Sequence, residues 1–221
     1  MNRLFLLSLF FLLAPLLPAQ DYKNPSLTPE QRADDLLRRM TLDEKLAQIR
    51  HIHSWDIFDG QELDTAKLSR FVCGLPWGFV EGFPLTGESC HRHMQRIQQY
   101  MVDSTRLGIP VFTVAEALHG SVHEGSAIYP QNIALGATFH PALAHLRARH
   151  IAGDLHYQGI RQILAPCVDV GRDLRWGRVE ECYGEDPFLA ALMACEEVRG
   201  YLESGISPML KHFGPHGNPQ G

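Results

Sequence analysis

Short apolar runs alternate with longer helical patterns along most of this sequence, and this alternation limits the possible folds more than any other feature. The runs at 110–115, 162–170 and 206–210, and one that begins near Phe71, are nearly continuous in apolar residues. Such runs indicate strands buried on both faces, and strands of this kind separated by helices are typical of a parallel sheet covered by helices. The sequence therefore predicts an α/β fold of about four strand–helix units.

Recognisable helix-start residues stand near the beginning of the chain and between the runs. Thr28 and Gln31 flank a proline and have the spacing of a capping box, and Thr41 and Glu44 repeat that spacing before a second apolar pattern. Helical periodicity predicts further helices that begin near Thr86 and span 141–157 and 187–204.

Nucleotide-binding motifs are missing, which bears on how the sheet is arranged. No Gly-x-Gly-x-x-Gly follows the first strand and no Gly-x-x-x-x-Gly-Lys occurs in the sequence. A (β/α)8 barrel of the TIM type is therefore favoured over an open, nucleotide-binding sheet. Four units make half of such a barrel, and the loop-like residues 214–221 suggest that the sequence stops before the barrel is complete.

Charge and the N-terminal segment predict an exported protein. The net charge is −5 with scattered Lys and Arg, so neither nucleic acid nor an anionic membrane surface is an expected partner. Residues 1–20 have the basic start, apolar run and small-residue end of a signal peptide. We expect a secreted or periplasmic protein without a membrane anchor after cleavage, with residues 21–221 forming the incomplete barrel domain. Its oligomeric state is left open.

Cysteine and histidine positions argue against a structural metal. Five cysteines lie far apart without a Cys-x-x-Cys pair, so neither a zinc site nor a dense disulfide framework is indicated. Twelve histidines include close pairs, but no His-Glu-x-x-His occurs. The sequence predicts no metal ion and no organic cofactor.

Polar residues cluster directly after the predicted strands. Glu116 follows the second strand, Asp169 lies at the end of the third, and Lys211 and His212 follow the fourth. The carboxyl ends of barrel strands converge on one mouth, so these groups are expected to meet there. Carboxylate, ammonium and imidazole groups with Trp77 and Trp176 nearby suit a polyhydroxylated ligand, because hydroxyls donate and accept while a sugar ring packs on an aromatic face.

Structural roles compete with these binding roles. Glu116 could cap a helix or form a structural ion pair, and Lys211 could either pair with a carboxylate or point into the mouth. The arginines between 172 and 178, with the acids that follow them, could form an ion-pair network that holds a long loop, with one arginine reaching a ligand.

Several long motifs stand out along the chain. They are Met-Thr-Leu-Asp-Glu-Lys at 40–45, Glu-Ala-Leu-His-Gly at 116–120, Tyr-Pro-Gln-Asn-Ile-Ala-Leu-Gly-Ala-Thr-Phe at 129–139, Arg-Trp-Gly-Arg at 175–178, Gly-Glu-Asp-Pro at 184–187 and Lys-His-Phe at 211–213. In residues and in order, these motifs resemble glycoside hydrolase family 3, in particular its β-glucosidase and β-xylosidase branch. The resemblance runs from about residue 25 to the end.

The resemblance implies an exo-acting, retaining β-glycosidase that removes terminal β-D-glucosyl or xylosyl residues from a β-linked oligosaccharide or glycoside through a covalent glycosyl-enzyme. It also implies that Glu116, Arg178, Lys211 and His212 bind the sugar hydroxyls, with Glu181 orienting Arg178. The family nucleophile is an Asp in a Ser-Asp-Trp context, which this sequence lacks. The nucleophile and the acid/base are thus expected beyond residue 221, and the chain alone is expected to be inactive.

Other readings remain open at this stage. His-Phe-Gly-Pro-His-Gly at 212–217 partly resembles the corresponding loop of the family's β-N-acetylhexosaminidase branch, although that branch typically lacks the motif at 175–178. A phosphorylase of the same family is a further possibility. Outside enzymes, the chain could be a catalytically incompetent sugar-binding fragment.

Overall fold

The computed structural model describes residues 20–82, 86–213 and 217, and the chain divides at Lys45 into two compact units. The predicted signal peptide lies outside the described residues apart from Gln20. Within the described ranges, no helix has both the length and the hydropathy needed to cross a bilayer. Signal peptide and domain limits stay predictions.

Helices and strands are numbered here in chain order. The helices are α1 (Pro29–Arg39), α2 (Leu42–Gln48), α3 (Thr65–Lys67, continued by a π-helical turn at Leu68–Val72), α4 (Gly87–Ser104), α5 (Asn132–Gly136), α6 (Pro141–Gln158) and α7 (Pro187–Glu203). The strands are β1 (His51–His53), β2 (Phe58–Asp59), β3 (Glu62–Leu63), β4 (Phe79–Glu81), β5 (Phe112–Ala115), β6 (Gln162–Ile163) and β7 (Ser207–Pro208).

Both predicted capping boxes are formed. At the start of α1, Gln31 N donates to Thr28 Oγ1 over 3.3 Å and Thr28 N donates to Gln31 Oε1 over 3.0 Å. At the start of α2, Thr41 N donates to Glu44 Oε2 over 2.8 Å, and Glu44 N returns a bond to Thr41 Oγ1. These bonds satisfy backbone N–H groups that have no partner within the helix, which is why the sequence located both helix starts.

The main sheet has five parallel strands in the order β1-β4-β5-β6-β7, and β2 and β3 form a separate antiparallel ribbon. The predicted α/β class with a parallel sheet and intervening helices is confirmed. Within the described residues the sheet is not closed into a barrel, and β1 and β7 are its edges. All five carboxyl ends face the same edge of the sheet because every neighbouring pair is parallel.

The sheet differs from the sequence prediction at its start. Strand β1 was missed, because only Ile52 among its three residues is apolar and the strand follows α2 almost directly. The first predicted strand was placed too early: Leu68–Val72 is a helical turn, ended by the left-handed Cys73 at φ 54°, and the strand begins only at Phe79. Among the described residues the sheet therefore contains five strands, whereas the sequence predicts four.

The third and fourth predicted strands are shorter than expected. Ladder pairing joins β6 to β7 through only two residue pairs and resumes as an isolated bridge between Cys167 and Lys211. Pro166 and Pro208 lack the N–H that a continuous ladder requires, which accounts for the interruption.

The core lies between the sheet and its helices. Apolar side chains one helical turn apart line α4 and α6, and those of α6 include Ala148, Ile151, Ala152 and Leu155, all fully buried. Helices α6 and α7 approach closely where α7 has Gly200, since a Cβ there would lie 2.6 Å from the carbonyl oxygen of His145. This packing holds the strands that position the polar residues described next.

Candidate functional site

Glu116, Lys211 and His212 lie at the carboxyl edge of the sheet. Glu116 directly follows β5, and Lys211 lies three residues beyond the end of β7. Backbone bonds fix the latter segment: Lys211 N donates to Pro166 O over 3.1 Å, and Val168 N donates to Lys211 O over 2.8 Å. The segment after β7 is thus attached to the segment after β6.

Lys211 and Glu116 form an ion pair with Nζ 2.7 Å from Oε2. Strand β6 lies between β5 and β7, so the lysine reaches across one strand to its partner. The two side chains differ in exposure, at 10% for the lysine and 51% for the glutamate. A buried ammonium group therefore holds a carboxylate that is open to a ligand from solvent.

His212 is oriented by Asp169, whose Oδ2 lies 2.7 Å from Nδ1 of the imidazole. The same oxygen accepts the thiol of Cys167 over 3.1 Å. Burial raises the pKa of Asp169, but the hydrogen bonds from His212 and Cys167 outweigh burial and hold that pKa below its ordinary value. Because an ionised carboxylate only accepts, the hydrogen of this bond lies on Nδ1 of His212.

Arg178 makes a bidentate contact with Glu181 across the 3-10 turn Val179–Glu181, with both nitrogen–oxygen distances 2.6 Å. These hydrogen bonds raise the pKa of the guanidinium. Burial raises the pKa of the Glu181 carboxyl, but the hydrogen bonds and the charge of Arg178 lower it. The charges of Lys211 and His212 lower it further, so the pKa of Glu181 lies below its ordinary value. The expected Arg178–Glu181 pairing is therefore present.

The structure brings the four predicted binding residues to one edge. Lys211 and Glu116 are in direct contact, and the charges of Lys211 and His212 act on the partner of Arg178. Arg178 in turn is influenced by the charge of Glu116. The nearby Arg175 is different, because it pairs with Asp173 and is 81% exposed.

The predicted aromatic platform is not formed by Trp77 or Trp176. Both are buried, and the indole N–H of Trp77 donates to Val72 O over 3.4 Å. A different tryptophan, Trp55, is 53% exposed and lines a cleft of about 270 Å³ together with Glu116 and Glu81. Sequence reasoning missed Trp55 because it follows β1, the strand that was also missed.

Two groups of side chains place three metal-ligand atoms within 4.8 Å of one another: His51, His53 and Glu81, and separately Cys167, Asp169 and His212. In the second group, the hydrogen bonds of Asp169 to its two neighbours account for the short distances. The prediction that no metal is needed stays a prediction.

Comparisons with known proteins agree with these motifs. The glycosyl hydrolase family 3 N-terminal domain matches residues 41–221. The chain is 29% identical to a periplasmic β-glucosidase of Salmonella typhimurium over 94% of its own length and 26% of that protein. It is 37% identical to a β-xylosidase of Formosa agariphila over 49% of its length and 17% of that protein.

Solved structures agree as well. A β-glucosidase from Erythrobacter marinus superposes with a TM-score of 0.80 at 30% identity, covering 88% of this chain and 27% of that one. The chain thus spans less than a third of the length of each of these relatives. The family match over residues 41–221 shows that the chain belongs to glycosyl hydrolase family 3.

Proposed function

We propose that the protein is an exported, exo-acting, retaining β-glycosidase that removes terminal β-D-glucosyl or xylosyl residues. In this proposal Glu116, Arg178, Lys211 and His212 bind hydroxyls of the terminal sugar. The observation that carries it is the Lys211–Glu116 pair, because a carboxylate held by a buried ammonium yet half exposed is a prepared hydrogen-bond acceptor.

The chemistry of the edge supports a polyhydroxylated ligand. Each hydroxyl of a pyranose both donates and accepts, so it bonds to Glu116 as donor and to Lys211 or Arg178 as acceptor. Charged partners make such bonds stronger than neutral ones and fix the sugar's orientation. If these bonds shorten as positive charge develops at the anomeric carbon, they contribute to rate as well as to affinity.

The nucleophile and the acid/base are proposed to come from outside this set of residues. A retaining glycosidase needs two carboxyl groups about 5–5.5 Å apart on either side of the scissile bond. Glu116 and Glu181 are instead assigned to hydroxyl binding and to holding Arg178. The proposed role of this part of the protein is therefore to bind and orient the sugar.

The test is Lys211→Ala in the protein at its natural full length, assayed with aryl β-glucoside and aryl β-xyloside. We expect kcat/KM to fall roughly 100-fold or more, since Glu116 loses its charged partner and the sugar loses a donor. Arg199→Ala, which removes an exposed ion pair on α7, is the matched control and should leave turnover unchanged.

If the folded Lys211→Ala variant turned over both substrates at the wild-type rate, the assignment of Lys211 and Glu116 to sugar binding would be wrong. If the wild type released the aryl group faster from an aryl β-N-acetylglucosaminide than from the aryl β-glucoside or the aryl β-xyloside, the hexosaminidase alternative would be favoured. Sugar binding without turnover of any of the three substrates would favour a binding protein.

A further inference from the structure

The segment that carries Arg178 is held against the end of β6 by a small buried cluster. The cluster contains Cys167, Trp176 and Cys182, with Val179 packed against it. Gly171 N donates to Gly184 O over 3.0 Å, so the chain after Cys167 runs beside the chain after Cys182. Two thiols that lie 15 positions apart in sequence are thereby brought together beneath the site.

Both side chains are fully buried and pack in this one cluster. Cys182 also packs on the segment after Cys167, since a Cβ at Gly171 would lie 3.6 Å from the Cys182 Cβ. The remaining cysteines differ, because Cys73 and Cys195 are exposed and Cys90 lies in the main core among α4 residues. Two buried cysteines packed in one cluster are near enough in the fold for a disulfide between them to be tested.

We propose that Cys167 and Cys182 form a disulfide in the mature protein, which ties the Arg178 segment to the end of strand β6. This inference rests on the proposed export, because disulfides persist in the periplasm and outside the cell. The sequence indicated no disulfide framework, since the two cysteines form no short motif. Only the fold brings them into contact.

The bond forms by exchange with a disulfide of a thiol–disulfide oxidoreductase, or with oxidised glutathione in vitro. Two cysteine thiols and one exchange disulfide give the Cys167–Cys182 bond and two thiols of the reagent, so the cysteines lose two electrons and two protons to the reagent. Both thiols are buried in the folded chain, so the exchange takes place during folding. Oxidation also removes the Cys167 donor from Asp169, which keeps its bond to His212.

The first test maps the cysteines by alkylation of the denatured protein without reductant, followed by peptide mass spectrometry. The natural full-length protein is prepared from a bacterial periplasm and, separately, refolded with reduced and oxidised glutathione. We expect one cross-linked peptide pair joining Cys167 to Cys182, with Cys73 and Cys195 alkylated. A cross-link in the refolded sample alone would count against export but support the disulfide. Full alkylation of both thiols in both samples would overturn the disulfide.

The second test compares melting temperatures with and without reductant. Reduction should lower the melting temperature of the wild type by about 5 °C. Opening a loop of about 15 residues raises the conformational entropy of the unfolded chain and so favours unfolding. The Cys167→Ala/Cys182→Ala variant should show no such shift, and Cys195→Ala should behave like the wild type. An equal reductant effect in the double variant would contradict the assignment.

Discussion

Two arginine–glutamate pairs in this chain have similar contact distances and very different surroundings. Arg147 on α6 meets Glu197 on α7 at 2.7 Å, with side-chain exposures of 3% and 0%. Arg178 meets Glu181 at 2.6 Å, but the arginine is 36% exposed. The first pair has no surface left for a ligand, whereas the second keeps part of its guanidinium open at the edge of the sheet. Burial therefore marks Arg147 as structural, whereas partial exposure at the edge of the sheet leaves Arg178 available to a ligand.

The buried pair belongs to a wider network. Arg147 also donates to Pro130 O over 2.7 Å and to Asn132 Oδ1 over 2.5 Å, and the Tyr183 hydroxyl donates to Glu197. Burial raises the pKa of Glu197, and the charge of Arg147 offsets part of that rise. The positive charge of Arg147 therefore stabilises the ionised form of the buried Glu197 carboxyl. The same side chain connects α6 and α7 to the loop before α5.

The largest expected effect is on stability, from Arg147→Leu. Removing one partner leaves Glu197 as an uncompensated buried charge, which should cost about 3–5 kcal/mol of unfolding free energy at neutral pH. The loss should shrink as the pH falls, because protonation of Glu197 removes that charge. Urea unfolding measures both effects, and a second change, Glu197→Gln, should recover part of the loss. A loss below about 1 kcal/mol would mean that the buried and the open pair are equivalent.

Arg178→Ala is expected to weaken sugar binding rather than folding. Its effect in free energy should be smaller than that of Arg147→Leu. Loss of a charged hydrogen-bond donor costs about 1.5–3 kcal/mol, which corresponds to a kcat/KM roughly 10–100-fold lower on aryl β-glucoside. The unfolding free energy should change by less than about 1 kcal/mol, since the pair is partly solvated. Arg178→Lys tests the geometry, because lysine keeps the charge but lacks the bidentate fork. Unfolding of Arg178→Ala, rather than loss of turnover, would reverse the roles assigned to the two pairs.

The sequence distinguished these two arginines only in part. Position after a predicted strand indicates Glu116, Lys211 and His212 but leaves the arginines between 172 and 178 open, and only the family resemblance singles out Arg178. Arg147 was not singled out, because its partners come from distant parts of the chain and one of them lies 50 positions away. Local patterns do not record which face of α6 meets α7.

Sequence analysis located the elements that have a local signal and missed those that lack one. The helices with capping boxes were located because those bonds are local, and the parallel sheet followed from continuous apolar runs. Strand β1 and Trp55 were missed because a three-residue strand with two histidines has no apolar pattern. The burial of Trp77 and Trp176 depends on contacts with distant segments, which residue type alone does not reveal.

Asp169 provides a test of intermediate size, since it is buried yet belongs to the open edge. Its folded-state pKa is depressed, so its contribution to stability is present above the ordinary carboxyl pKa and is lost as the pH falls through the folded-state value. Asp169→Asn should therefore lower the unfolding free energy by about 1–2 kcal/mol at neutral pH. The difference from wild type should narrow below about pH 4. If the stability curves of Asp169→Asn and the wild type coincided between pH 3 and 7, the hydrogen bonds of Asp169 would add nothing to stability.

The smallest effect is expected from Arg175→Ala, which tests whether exposure alone makes an arginine a binding residue. Arg175 lies three residues before Arg178 in the same motif and makes its own bidentate contact, with Nε and a terminal nitrogen 3.0 and 2.7 Å from the Asp173 carboxylate. The contact raises the pKa of Arg175, as the Glu181 contact does for Arg178. Its side chain, however, is far more exposed, and Asp173 is only two residues away, so the pair braces one turn of the loop. Melting temperature and kcat/KM should both match the wild type, because solvent replaces the lost contact. If Arg175→Ala instead lost as much turnover as Arg178→Ala, the loop would act as a unit, and partial exposure at the edge of the sheet would not identify the arginine that meets the sugar.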